Sequence, residues 1–269
     1  MPKLSIIIVT WNTALITKKC VDTINKYLPT NFAQIIIADN GSTDNTKDVI
    51  SKLKNVKYIN TGSNLGFAKG CNFGAKYAKG KYLLFLNSDM ELIDSTLVEM
   101  VKYLENNPDV GIVGPKFLNI DLSPQGSVMP PQTPLNAFKE YVLGMTSAYS
   151  KYSPLTTTPT SVWAISGGAV LINHEYYKKI NGWDEKYFFY YEDLELCRQI
   201  RKLGKKIIYF PQCKVIHRHG ASGTTITDNS NQWRRLVPSS ILYHGKFTHY
   251  LIYLIMWTSQ KWQKTFGKK

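Results

Sequence analysis

Short apolar runs rich in β-branched residues recur along the first half of the chain, at residues 4–9, 34–38, 56–60, 82–87 and 110–113. They are short, and they lack the strict apolar–polar alternation of a half-exposed strand. Each therefore predicts a strand buried on both faces of a parallel sheet. Between them, over 15–27, 43–54, 65–79 and 95–106, the apolar positions fall three and four apart, which predicts amphipathic helices. Ser42 and Asp94 stand where N-caps are expected, and Pro108 stops the fourth helix. This alternation predicts an α/β fold with an open, mostly parallel sheet covered by helices on both faces. Ligands of such sheets sit outside the carboxyl ends of the strands, so the residues that follow each strand carry the argument.

The pattern loosens over 123–161, a stretch rich in Pro, Ser and Thr with one predicted helix at 136–144. It reads either as an acceptor-binding loop or as surface structure. Strand-like residues return at 162–172, around Gly167 and Gly168. A helix is expected over 192–203 with Gly204 as its stop, then a short strand at 206–210. Residues 1–230 thus form one expected domain, and 231–269 a basic, aromatic helical extension. In that extension residues 251–257 are apolar, with Trp233, Arg234 and Arg235 upstream. Lys246 precedes the run, and Lys261, Lys264, Lys268 and Lys269 follow it. Such an amphipathic helix either lies in a bilayer interface, aromatics inward and lysines at the phosphates, or packs on the domain or a second subunit.

Composition changes this picture at one point. Hydrophobic residues make up 43% of the 269, which is ordinary, but the formal net charge is +14. An excess of that size calls for an anionic partner, such as anionic lipid, phosphorylated substrate or nucleic acid. The four cysteines form no C-x-x-C pair and fit reduced, buried thiols of a cytosolic protein. The run at 4–9 is too short for a signal-peptide core, and no stretch reaches the roughly 18–20 apolar residues of a membrane span.

Three polar clusters follow three of the predicted strands: Thr10-Trp11-Asn12, Asp39 to Asp44, and Asn87-Ser88-Asp89. Any one of them reads as a turn with a helix cap, but turn chemistry alone does not call for acids at all these ends. Asp39 is placed to accept the N3–H of a uracil or thymine ring. Asp44 suits a helix start. Asp89 suits a hard divalent cation shared with substrate phosphates. Gly66, Gly70, Gly74 and Ala78 make one smooth helical stripe, for close helix–sheet packing or for approach to a nucleotide hydrogen-bonded by Asn64 and Asn72. Asp193 falls on the apolar face of its helix, as a cap or as a general base toward an acceptor hydroxyl. The aromatic residues Trp183 and 187–191 suit sugar rings as well as a core. His217 or His219 completes a metal site with Asp89 or serves structure.

Taken in order over residues 4–222, these pieces resemble family 2 glycosyltransferases of the GT-A fold, most nearly the rhamnosyltransferase type of bacterial polysaccharide assembly. The segments that carry the resemblance include 5–12, 39–44, 64–68, 87–89, 166–169, 182–185, 192–193 and 217–220. The resemblance implies a single Rossmann-like sheet and a nucleoside pocket of Thr10, Asn12 and Asp39, with Asn64, Gly66, Asn72, Asn87 and Ser88 along the nucleotide. It implies Mn2+ or Mg2+ at Asp89, with His217 as a further ligand and His219 as the alternative. Asp193 is then the catalytic base of an inverting displacement, and Trp163, Gly167, Gly168, Trp183 and Glu192 meet the sugar or the acceptor. Asn87 stands where the family's D-x-D motif has its first acid, which leaves ribose hydrogen bonding but removes one carboxylate from the metal. The expected donor is thymidine diphosphate-rhamnose, with a uridine diphosphate hexose as the alternative. The acceptor is a glycan or a polyprenyl-linked one, and the protein works peripherally at the inner face of the plasma membrane.

Rival classes fit less well. There is no Walker A or G-x-G-x-x-G segment, and 10–17 lacks the glycine-rich phosphate loop of a nucleotidyltransferase. The lysines are dispersed and acids crowd the strand ends, so no nucleic-acid partner is expected. A non-catalytic sugar-nucleotide-binding protein and an oligomer both stay open.

Overall fold

A computed structural model describes residues 2–218 and 233–266, and leaves the side chains of 233–235 and 266 aside. The strands are β1 (Leu4–Thr10), β2 (Ala33–Asp39), β3 (Val56–Asn60), β4 (Tyr82–Asn87), β5 (Met90–Leu92), β6 (Val110–Leu118), β7 (Pro124–Gln125), β8 (Val128–Met129), β9 (Thr160–Ser161), β10 (Ala164–Ile165), β11 (Ala169–Asn173) and β12 (Lys206–His217). The helices are α1 (Ala14–Tyr27), α2 (Thr46–Ile50), α3 (Phe67–Ala75), α4 (Leu97–Asn106), α5 (Pro134–Tyr141), α6 (His174–Lys179), α7 (Glu192–Lys202), α8 (Trp233–His244) and α9 (Lys246–Phe266). The main sheet runs β3-β2-β1-β4-β11-β6-β12-β5. Strands β1 to β4 are parallel to one another, whereas β11 is antiparallel to both its neighbours and β5 closes the edge antiparallel to β12. The sheet is therefore mixed and mostly parallel.

Period-two alternation splits each central strand between two cores. Ile6, Ile8, Leu84 and Leu86 pack under α1 and α4, while Ile7, Leu83, Phe85 and Ile172 pack under α3, α6 and α7. Both faces are covered, which is why these strands are apolar almost throughout. The glycine stripe of α3 serves this packing: a Cβ on Gly70 would stand 2.9 Å from Val9 Cγ1, and one on Gly74 2.6 Å from Ile7 Cγ2.

Several boundaries differ from expectation, each for a local reason. The helix expected over 43–54 contracts to α2. Residues 43–44 instead donate their amides to Asn12 Oδ1, Asp44 caps the Thr46 amide at 3.0 Å, and Asn55 turns the chain at φ 63°. Ser42 is not an N-cap; it bonds Asp39 and Asn12. Asp94 accepts the Thr96 amide just before α4. The strand-like stretch at 162–172 is two strands, β10 and β11, parted at Ser166-Gly167-Gly168, where the Ser166 amide leaves the main sheet for Ser127 O at 2.8 Å. The short strand expected at 206–210 continues through Pro211 to His217. Pro211 has no amide to give, and the register against β6 shifts between Phe210 and Lys214.

The tail is helical, and α9 packs on α5 through Ile252, Ala137 and Tyr149, with Ile255, Met256 and Tyr141 alongside. The boundary expected at 230–231 lies outside the described residues, as do His219, Lys268 and Lys269. The four cysteines are free and buried. Among the described residues no helix is long and apolar enough to cross a membrane.

Ile7 is β-branched and held in a closed core, so it has no cheap way to yield to an added side chain at Gly74. Gly74→Val is expected to destabilise the fold by about 1–3 kcal/mol. The check is a lower urea midpoint with an unchanged slope.

Candidate functional site

The register of the sheet brings the polar clusters to one rim. Thr10 lies opposite Asp39, and Val9 opposite Asn87, so the ends of β2, β1 and β4 stand side by side, with neighbouring strands about 4.8 Å apart. The Asn87 amide donates to Gly168 O at 2.8 Å, which ties the start of β11 to the same rim. At the other end of the sheet β12 delivers His217 opposite Met90, one residue from Asp89.

Asp39 is wholly buried. Its Oδ1 accepts from the Ser42 amide at 2.9 Å and the Ser42 hydroxyl at 2.6 Å, and its Oδ2 accepts from the Tyr58 hydroxyl at 2.5 Å. Burial first, and then the bond to Asp39, push the Tyr58 phenol up to about 12, so it stays a donor through the neutral range. Asn12 sits at φ 53° and holds the loop by its side chain, taking the Thr43 amide at 2.8 Å. Thr10 is turned inward: its hydroxyl lies 2.8 Å from that of Thr13 and 2.7 Å from that of Thr17, where it sets the start of α1. Asn64 accepts the Gly66 amide at 3.0 Å. At φ 83° Gly66 passes so close to the chain that a Cβ would fall 2.5 Å from Phe188 O, a position only glycine fits.

Two expected contacts are corrected by packing. Asn72 does not point toward a nucleotide. Its carboxamide is used up by the Trp183 amide, the Trp183 carbonyl, Glu185 and the Tyr177 hydroxyl, and so pins the turn at 182–185. Trp183 is 1% exposed and lies edge-on to Phe67 and Phe85, so its face is closed to a sugar. Trp163 is half-exposed, with the Arg201 guanidinium 3.9 Å over its ring.

Asp89 is 2% exposed, and its Oδ1 lies 3.5 Å from His217 Nε2. Gln125 bonds His217 Nδ1 at 2.6 Å through Oε1. The amide side of Gln125 is taken by Asn119 Oδ1 and His217 O, so Oε1 must be the end that accepts from Nδ1–H. That tautomer leaves the Nε2 lone pair directed with Asp89, the second-shell pattern of a metal-binding histidine. Ser88 is buried 3.5 Å from the Thr13 hydroxyl. Among the described residues no three acid, His or Cys side chains cluster for a metal. A carboxylate and an imidazole at this distance are a donor set that fits a divalent cation, with its other positions left open to a substrate.

Asp193 faces inward, 8% exposed, at the first turn of α7. Its Oδ2 accepts the Gly167 amide at 2.9 Å, and a Cβ on Gly167 would stand 3.2 Å from Asp193 Cβ. The carboxylate from position 193 is thus tied to the residue before Gly168, which holds Asn87. Glu192 is 7% exposed, and its Oε2 has no hydrogen-bond partner among the described residues. Sequence patterning did not single out Tyr58, Gln125 or Lys151. The only available signal was a polar residue inside an otherwise apolar or irregular stretch.

Burial raises the Glu192 carboxyl above its ordinary value of 4.5. The Asp193 charge adds to the shift, and Lys151 opposes it. Above that ordinary value the folded chain binds more protons here than the unfolded chain, so stability falls as pH rises through the window. Glu192→Gln removes the titration. The melting temperature of the variant is expected to decline less than that of the wild type between about pH 5 and 9, read by circular dichroism.

Residues 5–180 match the model of glycosyl transferase family 2, and residues 148–219 match that of the N-terminal domain of galactosyltransferase. The N-acetylglucosaminyl-diphospho-decaprenol L-rhamnosyltransferase of Mycobacterium tuberculosis is 28% identical over 214 residues, which is 71% of this chain and 67% of that protein. The rhamnosyltransferase WbbL of Escherichia coli is 25% identical over 192 residues, 68% of this chain and 72% of that one. The crystal structure of GalNAc-T7 with UDP, GalNAc and Mn2+ superposes with a TM-score of 0.65 at 18% identity, over 80% of this chain. This chain spans 43% of GalNAc-T7, and the likeness speaks for a GT-A-like fold. With the family model covering more than half of its length, and a fold of the matching kind, the chain belongs to glycosyltransferase family 2.

Proposed function

We propose that the protein is an inverting, metal-dependent glycosyltransferase. In this reading it moves a sugar, L-rhamnose from dTDP-rhamnose first among candidates, to a hydroxyl of a lipid-linked glycan in cell-surface polysaccharide assembly. The observation that carries the reading is the pair of hydrogen bonds Asn87 N–H to Gly168 O and Gly167 N–H to Asp193 Oδ2. Together they set a buried acid beside the strand-end cluster that precedes it by about a hundred residues. The names of the mycobacterial and Escherichia coli relatives favour rhamnose and a prenyl-diphosphate acceptor. The Mn2+ that accompanies UDP in the GalNAc-T7 structure favours a divalent cation.

In the reaction the nucleoside lies over the β1–β2 rim, where Asp39, with Ser42 and Tyr58 on its carboxylate, shapes the base pocket. Asn87 and Ser88 flank the ribose. Asp89 and His217 would hold a divalent cation, which would supply Lewis-acid stabilisation of the leaving diphosphate's charge. Asp193 accepts the acceptor hydroxyl's proton as that oxygen attacks the anomeric carbon from the face opposite the diphosphate. The Gly167 amide keeps Asp193 aimed.

The tail holds this chemistry against a membrane surface. The face of α9 opposite its contact with α5 carries Phe247, Tyr250, Leu254 and Trp257, all exposed, with Lys246, Lys261 and Lys264 beside them. We place the protein peripherally on the inner face of the plasma membrane, aromatics in the interface and lysines at anionic headgroups.

Asp193→Asn is expected to lower kcat by roughly 10²–10⁴-fold, while dTDP with Mn2+ still raises its melting temperature as in the wild type. Asp89→Asn loses that Mn2+-dependent rise. Near-normal turnover of Asp193→Asn would remove the base assignment. Phe247→Ser combined with Trp257→Ser is expected to cut partition onto anionic vesicles more than about ten-fold, with melting temperature unchanged. Co-sedimentation equal to wild type would refute the membrane face.

A further inference from the structure

Lys151 is held in a way surface lysines rarely are. The Ser127 and Val128 amides both bond Tyr152 O, at 3.1 and 3.0 Å, and the Tyr152 amide returns to Val128 O at 2.9 Å. On the other side a Cβ on Gly126 would lie 3.0 Å from the Lys151 carbonyl carbon. The backbone at 151 is therefore clamped against β8, and β8 pairs with β10. From there the ammonium donates to Ser166 Oγ at 3.0 Å. Among the described residues no carboxylate lies within salt-bridge distance of it.

Ser166 and Gly167 are consecutive, and they meet Lys151 and Asp193 respectively. The ammonium and the carboxylate are thus no more than roughly 10 Å apart. At full extent that is room for one pyranose ring and the phosphate on its anomeric oxygen. A cavity of about 630 Å³ opens beside Lys151, lined by Pro124, Gly126, Tyr152, Pro154 and the fully exposed Leu155. The strap that carries Lys151 is tied to α5, because Glu140 accepts the Tyr149 and Ser150 amides at 2.7 and 3.0 Å. Leu135, Phe138, Val142 and Leu143, on and just after that helix, are exposed. The strap thus connects Lys151, within one sugar's reach of Asp193, with the cavity and, through Glu140, with a helix whose outer side is apolar.

We propose that Lys151 and Ser166 form the subsite for the phosphate nearest the acceptor sugar of a prenyl-diphosphate-linked acceptor, with Leu155 and the outer face of α5 receiving the start of the prenyl chain. This deepens the proposed function and rests on it for the orientation toward Asp193. The ammonium and hydroxyl supply charge-assisted and neutral donors to one phosphate, and the apolar wall supplies the rest of the affinity.

The test is isothermal titration of the full chain with farnesyl diphosphate in EDTA, without nucleotide. It reads binding alone, so a wrong base at Asp193 leaves its result intact. Wild type and Asp89→Asn are expected to bind alike. Lys151→Met is expected to bind roughly ten-fold more weakly, Lys151→Arg within about three-fold of wild type, and Ser166→Ala in between. Farnesol is expected to bind more weakly than the diphosphate. Several results would overturn the subsite: no binding to wild type, equal binding by Lys151→Met, loss in Asp89→Asn instead, or farnesol binding as well as the diphosphate. If Lys151→Met fails to give a wild-type melting curve, Lys151→Arg and Ser166→Ala decide, and wild-type affinity in Ser166→Ala then counts against the subsite.

Discussion

Two consecutive glycines hold the site together through their backbone. Gly167 gives its amide to Asp193 Oδ2 at 2.9 Å, and Gly168 gives its carbonyl to the Asn87 amide at 2.8 Å. Both positions are tight: a Cβ on Gly167 would stand 3.2 Å from Asp193 Cβ, and one on Gly168 2.5 Å from the Met90 methyl and 3.2 Å from Phe117. The approach matters because α7 and β4 belong to parts of the chain that no local contact connects. A main-chain donor needs no rotamer to be frozen, so in the proposed reaction the Asp193 carboxylate is already oriented.

Around that bridge, charge is arranged by depth. The acids Asp39, Asp89, Asp193 and Glu192 are all at least nine-tenths buried at the strand-end rim or beside it, while most cations stay outside. Buried carboxylates in such number are tolerable only when donors or cations compensate them. Ser42 and Tyr58 do this for Asp39, and the Gly167 and Leu194 amides for Asp193. The chain's excess of +14 resides elsewhere, some of it along α9, where the outward face is both aromatic and basic. The proposed metal–diphosphate site and the proposed lipid-facing lysines would not cancel each other's fields, since exposed charges are screened within about 10 Å.

Much of the sheet was legible because both of its faces are covered. Buried strands such as Leu4–Thr10 and Tyr82–Asn87 must be apolar along their length, and that signal survives without any partner in view. The inward turn of Asp193 follows the helical period, but the other face of α7 is covered as well, since Glu192 and Glu195 are equally buried. What did not show was anything decided by a distant neighbour. Asn72 and Trp183, polar and aromatic in suggestive places, are claimed by each other and by Phe67, Phe85 and Tyr177. Strand β5 is three residues long and exists only because β12 runs past it. Gln125, from an irregular stretch, sets the tautomer of His217 from 92 positions away.

By itself, then, the sequence determined the elements, the order in which polar clusters follow the strands, and the side of α7 on which Asp193 lies. These depend on periodicity and on local backbone preferences, which act over a few residues. Tertiary structure alone decided which polar groups remain free for a ligand and which are spent on packing, that β11 runs antiparallel, and that Lys151 comes to rest beside Ser166. Those outcomes turn on hydrogen-bond partners brought from far along the chain, and a donor's partner is a property of the packed molecule, not of the residue.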